Sequence, residues 1–236
     1  MFFIVFTLGI FSLMVKLGYW QLDRAEQKQR WQQQLEHRIN VSPLSLSQLQ
    51  RQLQKEDNPS GFRADIAGIA IDKVLLLDNQ VVKGQVGYLA YQPLQLTTQS
   101  PWLLIELGFI ATGAERAILP QTPRMQGHYH LTGKLYRREA NPLSKDLLPE
   151  PGWPSRIQNL HFKQLAKLMG HDVLPVVLQP DTIPSINLPR PWQPIPMPSE
   201  RHLGYALQWF SLAGALALLS TLFAIRQIKS RVQPPT

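Results

Sequence analysis

Cysteine is absent from the 236 residues. That excludes disulfides, thiolate copper sites, Cys-x-x-Cys redox pairs and covalent haem attachment through thioethers. A domain exposed outside the cytosol must then rely on its own hydrophobic core, for which roughly 180 residues suffice. Recognisable catalytic patterns are missing too. There is no nucleophile elbow, no His-Glu-x-x-His helix, no phosphate-cradling Gly-rich loop and no recognisable catalytic pair of carboxylates. Nothing in the sequence argues for an enzyme.

Charge is scarcest at the two ends. No charged residue lies between Met1 and Val15, and the apolar character continues past Lys16 to Tyr19 and Trp20. The stretch from Leu203 to Ile225 is also free of charge. About 20 residues at 1.5 Å each cross a hydrocarbon layer of roughly 30 Å. The pattern therefore predicts transmembrane helices at residues 1–20 and 202–225, with one domain (21–201) between them and a tail (226–236). Lys16 is compatible with this because its long stem reaches the interface. A cleaved signal peptide is the rival reading of the first segment. No Lys or Arg precedes the apolar run and no Ala-x-Ala site follows it, so an uncleaved anchor is expected.

Basic residues orient the spans. Arg226, Lys229 and Arg231 follow the second one with no acidic residue after it. The positive-inside rule puts that tail in the cytoplasm. Two spans return the N-terminus to the same side and leave the central domain outside, in a periplasm or its equivalent. Removing Lys16 and the three tail residues from the formal charge of +8 leaves +4 for the central region. There is no Lys/Arg block with interleaved aromatics, so nucleic-acid binding is not indicated.

The central region opens on QLDRAEQKQRWQQQLEHRI, rich in helix formers and free of Gly and Pro. It reads as a polar extension of the first span, stopped by Pro43. Ser45 to Lys55 reads as a short helix with Leu46, Leu49 and Leu53 on one side. β-rich runs follow at Phe62–Ile71, Lys73–Asp78, Val86–Leu96, Trp102–Ile110, Gly127–Arg137, Arg156–Leu160 and Val173–Leu178. Val81 to Gln85 reads as a hairpin connection, and His161 to Met169 as a helix capped by Gly170. Seven prolines between Pro180 and Pro198 are too many for a strand ladder and suggest an extended tether back to the membrane. The fold class expected is α+β: a domain dominated by antiparallel strands, flanked by the two terminal transmembrane helices.

The entry to the second span is the clearest place for chemistry. At 100° per residue, His202, Tyr205, Trp209 and Leu216 fall on one side of the helix. That stripe offers an imidazole at the interface with aromatic rings below it, where a flat macrocycle such as haem can be held on an axial nitrogen. Tyr and Trp at a span's end also form ordinary aromatic belts, and an interfacial His is often simply solvated; periodicity leaves these readings open. Gly204, Gln208, Ser211 and Ala215 make a second stripe, small residues and one amide, suited to close helix packing on the first span or on a partner. His128 and His130 share one strand face at a metal-binding spacing but lack a third ligand. His37, His161 and His171 read as surface residues.

Four strings resemble the SURF1/Shy1 family of cytochrome oxidase assembly proteins. LGYWQLDRAEQK (Leu17 to Lys28) resembles the family's start, and LLLDNQVVKGQVGYLAYQPL (Leu75 to Leu94) its central motif. LLIELGFIATG (Leu103 to Gly113) lies where the family has an Asn-Arg-Gly-Trp-like string. HLGYALQWFSLA (His202 to Ala213) resembles its second-span motif. Departures occur at Gln80, where Arg is usual, and at Glu106, Leu107 and Phe109 around Gly108, which suggests a divergent bacterial branch. The resemblance implies a two-span protein of a bacterial inner membrane that serves haem-copper oxidase assembly. It implies haem a as transient cargo, with His202 as the axial ligand of the iron. The implied partners are the oxidase core subunit and the enzymes of haem a synthesis. The alternative is a haem-free chaperone that stabilises an oxidase intermediate by helix packing.

Overall fold

Helix α1 (Phe2–Ile39) is 38 residues long. At 1.5 Å per residue it extends about 57 Å, close to twice the roughly 30 Å of a bilayer core. The apolar span and its polar continuation are therefore one helix, as the lack of Gly and Pro beyond Gly18 predicts. In this computed structural model the chain is described over residues 2–55, 58–113, 115–138, 146–191 and 198–232. It divides into two units: the terminal helices (Met1–Gln34 with Ile195–Thr236) and a sheet domain (Leu35–Pro194).

The sheet domain begins with the last turn of α1. Leu35 packs against Gly61, and the Arg38 guanidinium donates to the carbonyls of Asn58 and Ser60, 2.7 Å each, while lying over the Phe62 ring. Helix α2 (Leu46–Gln54) starts at Ser45, whose backbone N–H is met by the Gln48 side chain at 2.8 Å in a capping box. Its Leu49 is fully buried.

Strands β1 (Arg63–Ala70), β2 (Leu75–Val82), β3 (Gln85–Gln95), β4 (Trp102–Ala111), β5 (His128–Tyr136) and β6 (Ser155–Ile157) precede helix α3 (Phe162–Met169) and strand β7 (Val173–Pro180). The sheet order is β1-β5-β7-β4-β3-β2-β6. Antiparallel pairings dominate; only β2–β6 and β4–β7 are parallel. A further pairing of β1 with β3, Ile69 opposite Gln95, closes five of the strands on themselves, while β2 and β6 continue outward from β3.

The central strands β3, β4 and β7 and the first half of β2 are buried on both faces, and alternation along the strands sorts the side chains. Leu76, Ala90, Leu103, Ile105 and Leu178 enter one apolar cluster, over which Leu49 of α2 also packs. Leu75, Leu77, Leu89, Leu104 and Val177 enter the other with Leu165 and Met169 of α3. This explains the uninterrupted apolar run Leu75–Leu77, since a strand covered on both faces has no polar side. Gln92 is buried in the strands' midst but satisfied, donating to the carbonyls of Ile71 and Met125 and accepting from the Met125 N–H.

The structure corrects three boundaries. β2 runs on to Val82, and the hairpin turn is only Lys83 and Gly84, both at positive φ (50° and 79°) as a type I′ turn requires. β6 spans only Ser155–Ile157, and α3 follows from the N-cap His161. The Pro-rich stretch is not free from Pro180 onward. Ile183 and Ile186 are buried in the first cluster, and the Pro189 carbonyl accepts from the Phe109 N–H at 2.7 Å. Proline prevents a ladder there without preventing docking. The rest of that stretch, residues 192–197, lies outside the described residues.

Gly108 makes the docking possible. Its φ is +133°, and a Cβ there would lie 2.4 Å from that of Leu188. Gly108→Ala should destabilise the domain by about 1–3 kcal/mol, through strain and displacement of the 183–189 segment. Denaturant unfolding of the full chain in detergent measures this; a change within error would show that the docked segment contributes nothing.

Candidate functional site

The terminal helices carry the residues that the sequence singles out as a candidate site. Helix α4 (Ser199–Val232) and α1 are both long and apolar enough to cross a membrane. One contact between them is built on a glycine. Gly18 is buried, and a Cβ on it would lie 2.7 Å from the Phe210 ring. That ring also meets Tyr19 edge-on, centroids 5.4 Å apart at 82°. Ala206 and Ala213, each about one turn of α4 from Phe210, are buried on the same helix face. Small residues where helices meet are what lipid-embedded helices require, since only close fit and polar contacts join them there. Near the other ends, α1 and α4 part around an open groove of about 690 Å³ flanked by Leu8 and Phe223.

One helical step beyond Gly18, the Gln21 side-chain oxygen lies 2.8 Å from His202 Nδ1. Both side chains are half-buried. Trp209, two turns along α4, is half-buried, whereas Tyr205 is 43% exposed. The structure thus sets His202 and Trp209 on the flank of the helix contact and Tyr205 outside it. Gly204, Gln208, Ser211 and Ala215 are exposed, and nothing lies within 4 Å of a Cβ on Gly204. Packing of Gln208 on the first span, one reading of the sequence, is therefore not found; α4 turns its Ala206–Phe210–Ala213 face inward instead. Reading residues for chemistry missed Gln21, Gly18 and Phe210. The available signal was a polar side chain three residues after a glycine at the end of an apolar run.

A sequence profile of the SURF1 family matches residues 8–214. The chain belongs to the SURF1 family. The match takes in both sides of the Gln21–His202 contact and the whole sheet domain. SURF1 proteins are cytochrome oxidase assembly factors rather than enzymes, and the general assembly role is this chain's as well. No curated protein matches it.

The two departures from the SURF1 pattern that sequence reading singled out are absorbed by the sheet. Alternation along β4 puts Leu103, Ile105 and Leu107 in one layer and Leu104 in the α3-side layer that Glu106 faces. A bulge at Leu107, opposite Ala90 and Tyr91, then brings Phe109 into the α3-side layer as well. Glu106 is fully buried; the Tyr136 hydroxyl donates to its Oε2, and Gln179 donates to its Oε1 at 3.3 Å. Tyr91 and Tyr136 hydroxyls lie 3.2 Å apart. Burial pushes the Glu106 carboxyl above the ordinary carboxylate range, against hydrogen bonds from Tyr136 and Gln179 and the positive charges of Arg138 and Arg190. Burial likewise pushes both tyrosines up. Gln80 accepts from Arg138 at 2.6 Å. Asp78 behaves oppositely. Burial works against its charge, but the Asn79 N–H, Arg116 and Gln158 donate to the carboxyl and hold it below its usual range.

The remaining histidines do not form a centre. His130 pairs with Asp65 at 2.6 Å on the exposed face of β5, beside His128. Among the described residues no three His, Asp or Glu side chains gather as a metal site. His161 caps α3, its Nδ1 accepting from the Gln164 N–H at 3.2 Å. His171 stacks on Trp102, 4.4 Å between rings.

Glu106 gives the domain a defined pH response. Its folded-state pKa is raised, so the native chain keeps a proton that the unfolded carboxyl loses at its ordinary value. Stability should therefore fall as pH rises from the ordinary carboxylate range through the raised value. Glu106→Gln should abolish that loss, so its stability relative to the parent should grow between pH 5 and pH 8. Parallel stability curves for the two proteins would contradict this.

Proposed function

We propose that this SURF1 protein carries haem a at the outer end of its two membrane helices and assists its insertion into the oxidase core subunit. The observation that carries the reading is the held imidazole of His202. Its Nδ1 is engaged by Gln21 on the opposite helix, and its other ring nitrogen is the one a metal would take. The residues fit such a cargo. His202 supplies one axial nitrogen, Trp209 a flat apolar wall, and the exposed Tyr205 a second ring on the open side. One ligand from one helix holds haem weakly enough for transfer, which suits a carrier. When bound, the iron porphyrin supplies the redox centre that the oxidase uses; this chain's part is to ligate, shield and release it.

The setting follows from charge. Arg226, Lys229 and Arg231 support a cytoplasmic tail, and two spans bring the N-terminus to the same side. The sheet domain then lies in the periplasm of a bacterial inner membrane. The implied partners are the oxidase core subunit and the enzymes that make haem a.

A second reading has its own support. Gly204, Gln208, Ser211 and Ala215 form an exposed stripe on an apolar helix, and an amide facing lipid without a partner is costly. Under this reading the chain is a haem-free chaperone that packs this stripe on a helix of an oxidase intermediate.

One experiment separates the two. The full chain is purified twice, after co-expression with haem a synthesis enzymes alone to read bound haem, and with the oxidase core subunit alone to read co-purification. The carrier reading expects a haem absorption band that His202→Ala removes, with Gln208→Leu retaining it. The chaperone reading expects no band, an unchanged His202→Ala and loss of the core subunit from Gln208→Leu. A parent protein without haem, or equal haem on His202→Ala, sinks the carrier reading.

A further inference from the structure

Gln21 has a sharper task than joining two helices. Its Oε1 carries only lone pairs, so a 2.8 Å contact with His202 Nδ1 requires the ring nitrogen to be the donor. A neutral imidazole has one N–H. With that proton on Nδ1, the lone pair is left on Nε2. The opposite tautomer would require the amide to turn over and donate its NH2 to Nδ1, which gives up the 2.8 Å contact of the oxygen. The contact is placed for this. Gly18 lets Phe210 lie against α1, and Gln21 and His202 fall beyond it on the approaching faces. Both are half-buried, where water competes less for the bond than at an open surface.

We infer that Gln21 is a positioning residue for His202: its amide oxygen selects the ring tautomer and orientation that present Nε2 to a metal. The inference rests on the carrier reading for what Nε2 receives, but the tautomer selection belongs to the haem-free protein. Such a partner on the non-ligating nitrogen fixes the tautomer and the orientation of the ring. A merely structural hydrogen bond would tolerate either tautomer, provided the helices stayed together.

The test has two arms. In the first, full-length protein with ¹⁵N-labelled histidine is studied without haem in detergent, and the His202 signals report which nitrogen carries the proton. The parent and Gln21→Glu, which keeps an acceptor oxygen, should show the Nδ1–H form. Gln21→Leu should lose that preference. In the second arm, the same proteins are co-expressed with haem a synthesis enzymes. Gln21→Leu should retain haem about ten-fold more weakly. Gln21→Glu should retain it and shift the bound haem to a more negative reduction potential. An unchanged tautomer in Gln21→Leu overturns the inference, as does equal haem retention when His202→Ala has lost its haem. If the parent binds no haem, the carrier reading fails, and the tautomer arm still decides the role of Gln21. If Gln21→Leu does not accumulate, a Gln21→Glu protein with the Nε2–H form overturns it.

Discussion

The pairing of the terminal helices rests on the absence of a side chain at residue 18. An added Cβ would intrude to 2.7 Å from the Phe210 ring, and the ring or the helices would have to give way. A shift of that kind easily exceeds the tolerance of a 2.8 Å contact between Gln21 and His202. Apolar fit at one turn thus positions a polar pair at the next. In lipid there is no hydrophobic force between helices, so this combination of small residue, ring and hydrogen bond does the joining.

The sheet domain is organised by a different constraint, the need to bury both faces of strands that carry apolar runs. Closure of five strands through the β1–β3 pairing covers one face; α3 and the chain before it cover the other. Two of the polar side chains caught inside are well paired: Gln92 with Ile71 and Met125, Glu106 with Tyr136 and Gln179. Such groups are costly when unpartnered and specify a unique arrangement when satisfied. The divergence of residues 80 and 106 from the family pattern is therefore accommodated locally, with Arg138 donating to Gln80 and contributing positive charge near Glu106.

Much of this was legible in the sequence because it is local. Ser45 and Gln48 announce α2, Gly170 in its left-handed conformation ends α3, and alternation marks β1 and β5. The spans follow from uncharged length alone. What escaped is what depends on distant residues. The pairing of Ile69 with Gln95 has no local signal, and proline content says nothing about whether Ile183 and Ile186 find a pocket. On α4, periodicity groups residues into stripes but cannot tell which side meets α1; Gly18 and Phe210 show that side. Gln21 stood inside a quoted string, and its role became visible only with His202 across from it.

Together these features underlie the proposal that the second helix is more than a tether. A generic anchor needs no imidazole at its entry, no alanine face against α1 and no amide in its exposed stripe. The direct test replaces residues 203–225 with polyleucine of equal length, leaving His202 in place. The account predicts that the chain still inserts and the sheet domain still folds, while cells show reduced oxidase activity and haem a content. Normal oxidase activity and haem a content in those cells would contradict it and leave the sheet domain as the sole working part.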